Sequence, residues 1–125
     1  MAANKIFRSG PVALTATLTT NIVNCNITSL TGPVGYTQTQ PYIILRHVRI
    51  TNVTAGAVTF TLAIGTTGVT PAVANAFIGF GTSVAANSYV DWYGMVRLDA
   101  ADFLVGGAGS GSALTFEAEG EIGLV

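Results

Sequence analysis

Hydrophobic and polar positions alternate with a period of two along most of this chain. Residues 1–10 are short of apolar side chains and end at Ser9-Gly10-Pro11, which reads as an extended N-terminal arm. Val12, Leu14, Ala16 and Leu18 then alternate with Ala13, Thr15, Thr17 and Thr19, as in a strand with one face buried. A second strand is expected within 22–27. Thr31 to Pro41 holds Gly32-Pro33, Gly35 and Pro41 and reads as a loop.

Tyr42 to Val53 is rich in β-branched and aromatic residues and is the strongest strand candidate. Strict alternation puts Tyr42, Ile44, Val48 and Ile50 on one face and Ile43, Leu45, His47, Arg49 and Thr51 on the other. Arg46 then falls on the mostly apolar face. Either a bulge shifts the register there, or Arg46 is aimed at a partner. Asn52 to Gly56 reads as a turn. The alternation of Val58, Phe60, Leu62 and Ile64 with Thr59, Thr61 and Ala63 then predicts an antiparallel hairpin with the preceding strand.

Gly65 to Pro71 is another loop, and 72–80 reads as one helical turn or an irregular strand, with the strand preferred. Tyr89 to Tyr93 is a strand that continues or restarts at Met95 to Leu98. Asp99 to Asp102 forms a tight turn, with one helical or 3₁₀ turn expected to reach Leu104. Gly106 to Ser112 reads as a flexible connector. Leu114, Phe116 and Ala118 alternate with Thr115, Glu117 and Glu119 in a last strand that Gly120 breaks. No segment sustains a 3.6-residue period. Short strands separated by Gly, Pro and Asn turns predict an all-β fold, an antiparallel β-sandwich of jelly-roll-like form. The expected organisation is an arm at 1–10 and a single β-sandwich domain at 11–125.

Charge changes the picture. Only 9% of the 125 residues are charged, against about 25% in ordinary soluble domains. A surface so poor in ions suits extensive contact with other protein, because few charges must be desolvated. The five basic residues are scattered, which argues against the clustered cations that nucleic acid requires. No apolar run approaches the length of a membrane helix, and the start lacks a signal-peptide pattern, so synthesis in a cytoplasm and no membrane partner are expected. Cys25 is alone and reads as a small buried hydrophobe.

Chemistry is sparse. His47 is the one histidine and sits mid-strand without a nucleophile elbow nearby. Asp99 and Asp102 read as turn and capping residues. Asp91, between Val90 and Trp92, points away from the face that holds them. Glu117, Glu119 and Glu121 form an acidic stripe, solvent-facing or set against a basic partner or calcium. The glycines at 106, 107, 109 and 111 lack the Lys-Ser/Thr ending of a phosphate loop. No catalytic residue, cofactor site or metal site is therefore assigned, and no enzyme activity is expected. Trp92 and Tyr93, with Tyr89, are core, protein-contact or sugar-stacking residues.

Three stretches together resemble small structural proteins of tailed bacteriophages: Arg46-His47-Val48-Arg49-Ile50-Thr51-Asn52 with Ala55 to Leu62; Tyr89-Val90-Asp91-Trp92-Tyr93-Gly94 with Val96-Arg97-Leu98; and Asp99 to Leu104 with the Gly-rich run and Leu114 to Gly120. The resemblance implies a virion protein, foremost a capsid decoration (cement) protein on the outer surface of an assembled head. A tail or fibre component and a carbohydrate-binding module on the virion surface are the alternatives. It implies the major capsid protein or other virion proteins as partners, and a homo-oligomer, foremost a trimer. Lys5 and Arg8 would then meet acidic surface on a neighbouring subunit, and Arg46, Trp92 and Tyr93 complete the expected contact residues.

Overall fold

A computed structural model describes residues 5–24, 42–99 and 101–123. These form eight strands: β1 (Lys5–Ala13), β2 (Thr20–Asn24), β3 (Tyr42–Asn52), β4 (Val58–Gly65), β5 (Ala76–Val84), β6 (Ser88–Leu98), β7 (Phe103–Ala108) and β8 (Leu114–Gly123). They make two four-stranded antiparallel sheets, ordered β1-β8-β3-β6 and β2-β7-β4-β5. The arrangement is sandwich-like, as the alternation predicts. One apolar core lies between the sheets, with Ile43, Leu45, Val48 and Ile50 from one meeting Phe60, Leu62 and Leu104 from the other.

The conflict at Arg46 is resolved by a bulge. Leu45 pairs with Gly120 and His47 with Glu119, so Arg46 is the extra residue on β3. The inward positions accordingly change parity, from Ile43 and Leu45 to Val48 and Ile50, all essentially inaccessible. Strict alternation therefore misassigns the first half of this strand: Tyr42 and Ile44 share a face with His47 and Arg49.

The expected hairpin of β3 with β4 does not form. β3 pairs with β6 and β8, whereas β4 pairs with β5 and β7 in the opposite sheet. The connection at 53–57 lacks a two-residue hairpin turn. It is long enough to cross the ~10 Å between stacked sheets. Asn52 secures that crossing. Its buried amide donates to the carbonyls of Gly56 (2.8 Å) and Val84 (3.0 Å), and its Oδ1 accepts from the Thr54 amide at 2.9 Å.

Residues 14–19, expected to continue a strand, also cross between sheets. Only Leu14 among the alternating apolar residues is buried; Val12 and Leu18 are exposed. The threonine hydroxyls take over the local bonding: Thr20 Oγ1 donates to the Thr17 carbonyl at 2.9 Å, and the Ala108 amide reaches the Thr15 carbonyl at 2.8 Å. Residues 5–10 of the expected arm are extended but laid along β8 as part of β1, in register from Lys5 opposite Ile122. Residues 1–4, Cys25 and the loop at 31–41 lie outside the described residues.

The glycine-rich run divides. Gly106 and Gly107 belong to β7 and are buried, not part of a connector. A Cβ at 107 would stand 2.7 Å from the Thr17 carbonyl, so the small residue is what lets the crossing segment lie on the sheet. β7 begins at Phe103, which leaves no room for the helical turn expected to reach Leu104. Nor does Gly120 end the last strand. β8 runs to Gly123, and Gly120 allows close approach, since a Cβ there would collide with the Ile44 carbonyl.

A charge-compensated aromatic ladder on one sheet

The outer face of the β1-β8-β3-β6 sheet collects the ionised side chains. Every Lys, Arg, Asp and Glu of the chain lies on its four strands except Asp99 and Asp102, which sit in the turn after β6. The strands of the other sheet, β2, β7, β4 and β5, hold none of these residues and no histidine.

At the β3–β6 pair, Arg49 is directly opposite Asp91 and His47 opposite Tyr93. Arg49 grips the Asp91 carboxylate with two bonds, Nε to Oδ1 at 2.7 Å and Nη2 to Oδ2 at 3.0 Å. His47 Nε2 lies 2.9 Å from the same Oδ1. A carboxylate only accepts, so Nε2 is the protonated ring nitrogen. Arg49, then His47, hold the Asp91 carboxyl below its ordinary value, at about 2.

Two tyrosines flank this group. Tyr93 stacks on His47 at 4.5 Å between ring centres and 14° between planes. Tyr89 lies under the Arg49 guanidinium, 4.5 Å from the ring centre. Both rings remain largely exposed, Tyr93 at 71% and Tyr89 at 55%. They are therefore accessible aromatics whose orientation is already set.

Across the sheet, Arg46 Nε bonds Glu121 at 2.7 Å and Arg8 lies 3.6 Å from Glu117. The acidic stripe on β8 is thus answered largely within the same face. A shallow depression of about 340 Å³ lies among Ile6, Arg46, His47, Glu119, Gly120 and Glu121. Arg97 bonds Asp99 at 2.6 Å and covers the Tyr42 ring at 4.3 Å. No group of His, Cys, Asp and Glu among the described residues is arranged to hold a metal ion.

The residues singled out from sequence thus separate. Arg8, Arg46 and Tyr93 share the outer face. Lys5 enters only through its backbone place on the edge strand β1. Trp92 turns inward, partly buried on the core and edge-on to Phe77 at 5.1 Å. It lines a cleft of about 270 Å³ between β5 and β6, with Phe60, Ile78 and Val90. Sequence reasoning leaves Arg49 and His47 out of the site and names Tyr89 only beside Trp92 and Tyr93. The β3–β6 pairing is what joins Arg49 and His47 to Asp91, and the sequence points instead to a hairpin of β3 with the next strand. Neither a scan against protein-family models nor a search of curated proteins finds a match to this chain.

Proposed function

We propose that this chain is a virion structural protein of a tailed bacteriophage, a decoration protein that sits on the outer surface of an assembled head. The observation that carries the reading is the segregation of charge. One sheet holds nearly every ion, while the other offers only hydroxyl, amide and apolar groups over four strands. A face that brings no charges to be desolvated is suited to permanent contact with a large protein surface. Phe80, 53% exposed on that sheet, gives it an aromatic anchor.

The strand order supports a finer reading of the fold as a jelly roll. The pairs β1–β8, β2–β7, β3–β6 and β4–β5 are those of one long antiparallel ribbon folded over on itself. Capsid and lectin domains recur on jelly rolls, which supports the proposal by analogy of fold.

Co-sedimentation with assembled heads tests the function. The wild-type chain is expected to bind heads and not free capsid protein. Phe80→Lys or Ser83→Lys, on the outer face of the uncharged sheet, should weaken binding by at least about tenfold. Glu119→Lys, on the charged sheet, should leave it unchanged. Full binding by both uncharged-sheet variants would remove that sheet from the contact. Binding to tails in place of heads would move the protein to the tail or fibre alternative.

A further inference from the structure

Four strands end the two sheets, and three of them are guarded against pairing with another chain. β1 contains Pro11, which has no amide to donate, and its register breaks between Ser9 and Val12. β2 has five residues and a register break of its own. β5 is bulged twice, with Ile78 at φ 68° and Gly81 at φ 65°, and the Gly81 amide is already taken by Thr61 Oγ1 at 2.9 Å. These are the devices that blunt a sheet edge.

β6 is the exception. From Ser88 to Tyr93 it runs in unbroken register with Asn52 to His47 of β3, without proline or bulge. Among the described residues it has no strand on its other side. The sequence of this open edge is symmetric in character, Tyr89-Val90-Asp91-Trp92-Tyr93: aromatic, apolar, acidic, apolar, aromatic.

We propose that this edge pairs with the same edge of a second copy, antiparallel about a two-fold axis at Asp91. Tyr89 then stands opposite Tyr93 of the second copy on the outer face, and Val90 opposite its Trp92 on the inner face, each contact made twice. Such self-complementarity is what an isologous contact requires. The two Asp91 carboxylates meet at the axis, and each comes already paired with its own Arg49 and His47. The tyrosines arrive with their rings held, by His47 in one case and Arg49 in the other, so little side-chain freedom remains to be lost. On the inner side, the second copy's tryptophan closes over the mouth of the cleft that Val90 and Trp92 line with Phe60 and Ile78. The product is one continuous eight-stranded sheet with the charged faces on the same side. The contact deepens the assembly reading above and rests on it for biological purpose. It makes the assembly even-numbered, in place of the three-fold form that the resemblance implies.

Sedimentation velocity of the full chain should show a concentration-dependent dimer. Tyr89→Lys/Tyr93→Lys and Tyr89→Glu/Tyr93→Glu should each be folded monomers, because the register sets like charges against each other. Mixing the two should restore a heterodimer, with each lysine of one chain facing a glutamate of the other. Hydrogen exchange on the wild-type chain gives a second reading that needs no variant: alternate amides within 88–93 should gain at least tenfold protection as dimer forms. A wild-type monomer or trimer at high concentration overturns the pairing. So does a dimeric lysine variant, a mixture that stays monomeric, or exchange at 88–93 that ignores concentration. A monomer that still binds heads overturns the pairing alone and leaves the decoration reading standing.

Discussion

Asn52 and Asp91 show how much single side chains decide here. Asn52 is 1% exposed, and its amide is fully used in tying the end of β3 to Gly56 and Val84 across the sandwich. Asn52→Ala should cost about 1–3 kcal/mol in urea unfolding, since the buried Val84 carbonyl loses its side-chain donor, while the Gly56 carbonyl keeps Thr54 Oγ1. Gly120→Ala should cost about 1–3 kcal/mol by the same measurement, because the added methyl meets the Ile44 carbonyl and the backbone must move. Asp91 gives a pH signature. Its carboxyl is lowered from 3.8 to about 2 in the folded chain, by Arg49 first and His47 second. A group with a lowered folded value stabilises fully above its unfolded value and loses that contribution as pH falls through the folded one. The wild-type protein should therefore lose stability between about pH 4 and pH 2 more steeply than Asp91→Asn. Unfolding curves across that range check it, and parallel curves for the two proteins would show that Asp91 is not held by its neighbours.

At the level of elements, most of the strands were legible and their partners were not. Period-two alternation identifies β4 and β8 because each has one face on the core, as with Phe60 and Leu62 or Phe116 and Ala118. The same signal misleads at 14–19, where Thr15, Thr17 and Thr20 bond one another and the segment crosses between sheets. It is silent on pairing: β3 and β4 are adjacent in sequence and lie in different sheets, a fact decided by crossing turns that carry no strong motif. The candidate site suffers most, because Arg49 and His47 meet Asp91 only through the β3–β6 pairing, and alternation within a strand does not say which strand lies beside it. The bulge at Arg46 is itself testable. Deleting Arg46 would force either Ile43 and Leu45 or Val48 and Ile50 off the core. Exposing two such side chains costs about 3–6 kcal/mol, a large part of the 5–15 kcal/mol that holds an ordinary domain together. The deletion should leave the chain unfolded or strongly destabilised, by circular dichroism and urea titration. Replacement by alanine, which keeps the extra residue, should cost little. Equal tolerance of both changes would mean that β3 can slip its register freely.

For the whole molecule, the uneven division of charge yields a prediction that composition alone does not. A low charge count describes a surface poor in ions everywhere. The fold instead concentrates Arg8, Arg46, Arg49, Arg97, Asp91 and the β8 glutamates on one sheet, and leaves the other without ions. The two sheets should therefore answer differently to salt. A contact made through the charged sheet would gain from long-range attraction and weaken as ions screen it, since the Debye length falls from about 10 Å at 0.1 M to about 3 Å at 1 M. A contact made through the uncharged sheet has no such attraction to lose, and excluded salts such as sulfate strengthen apolar burial. Binding to assembled heads, measured by co-sedimentation across that range, should change by less than about threefold in chloride and should tighten in sulfate. Self-association through β6 presents the same balance, because its Asp91 is neutralised by Arg49 and hydrogen-bonded by His47 before the copies meet. A binding constant that falls steeply with chloride would place the partner on the charged sheet, and the pairs Arg46–Glu121 and Arg8–Glu117 would then be the contacts that open to receive it.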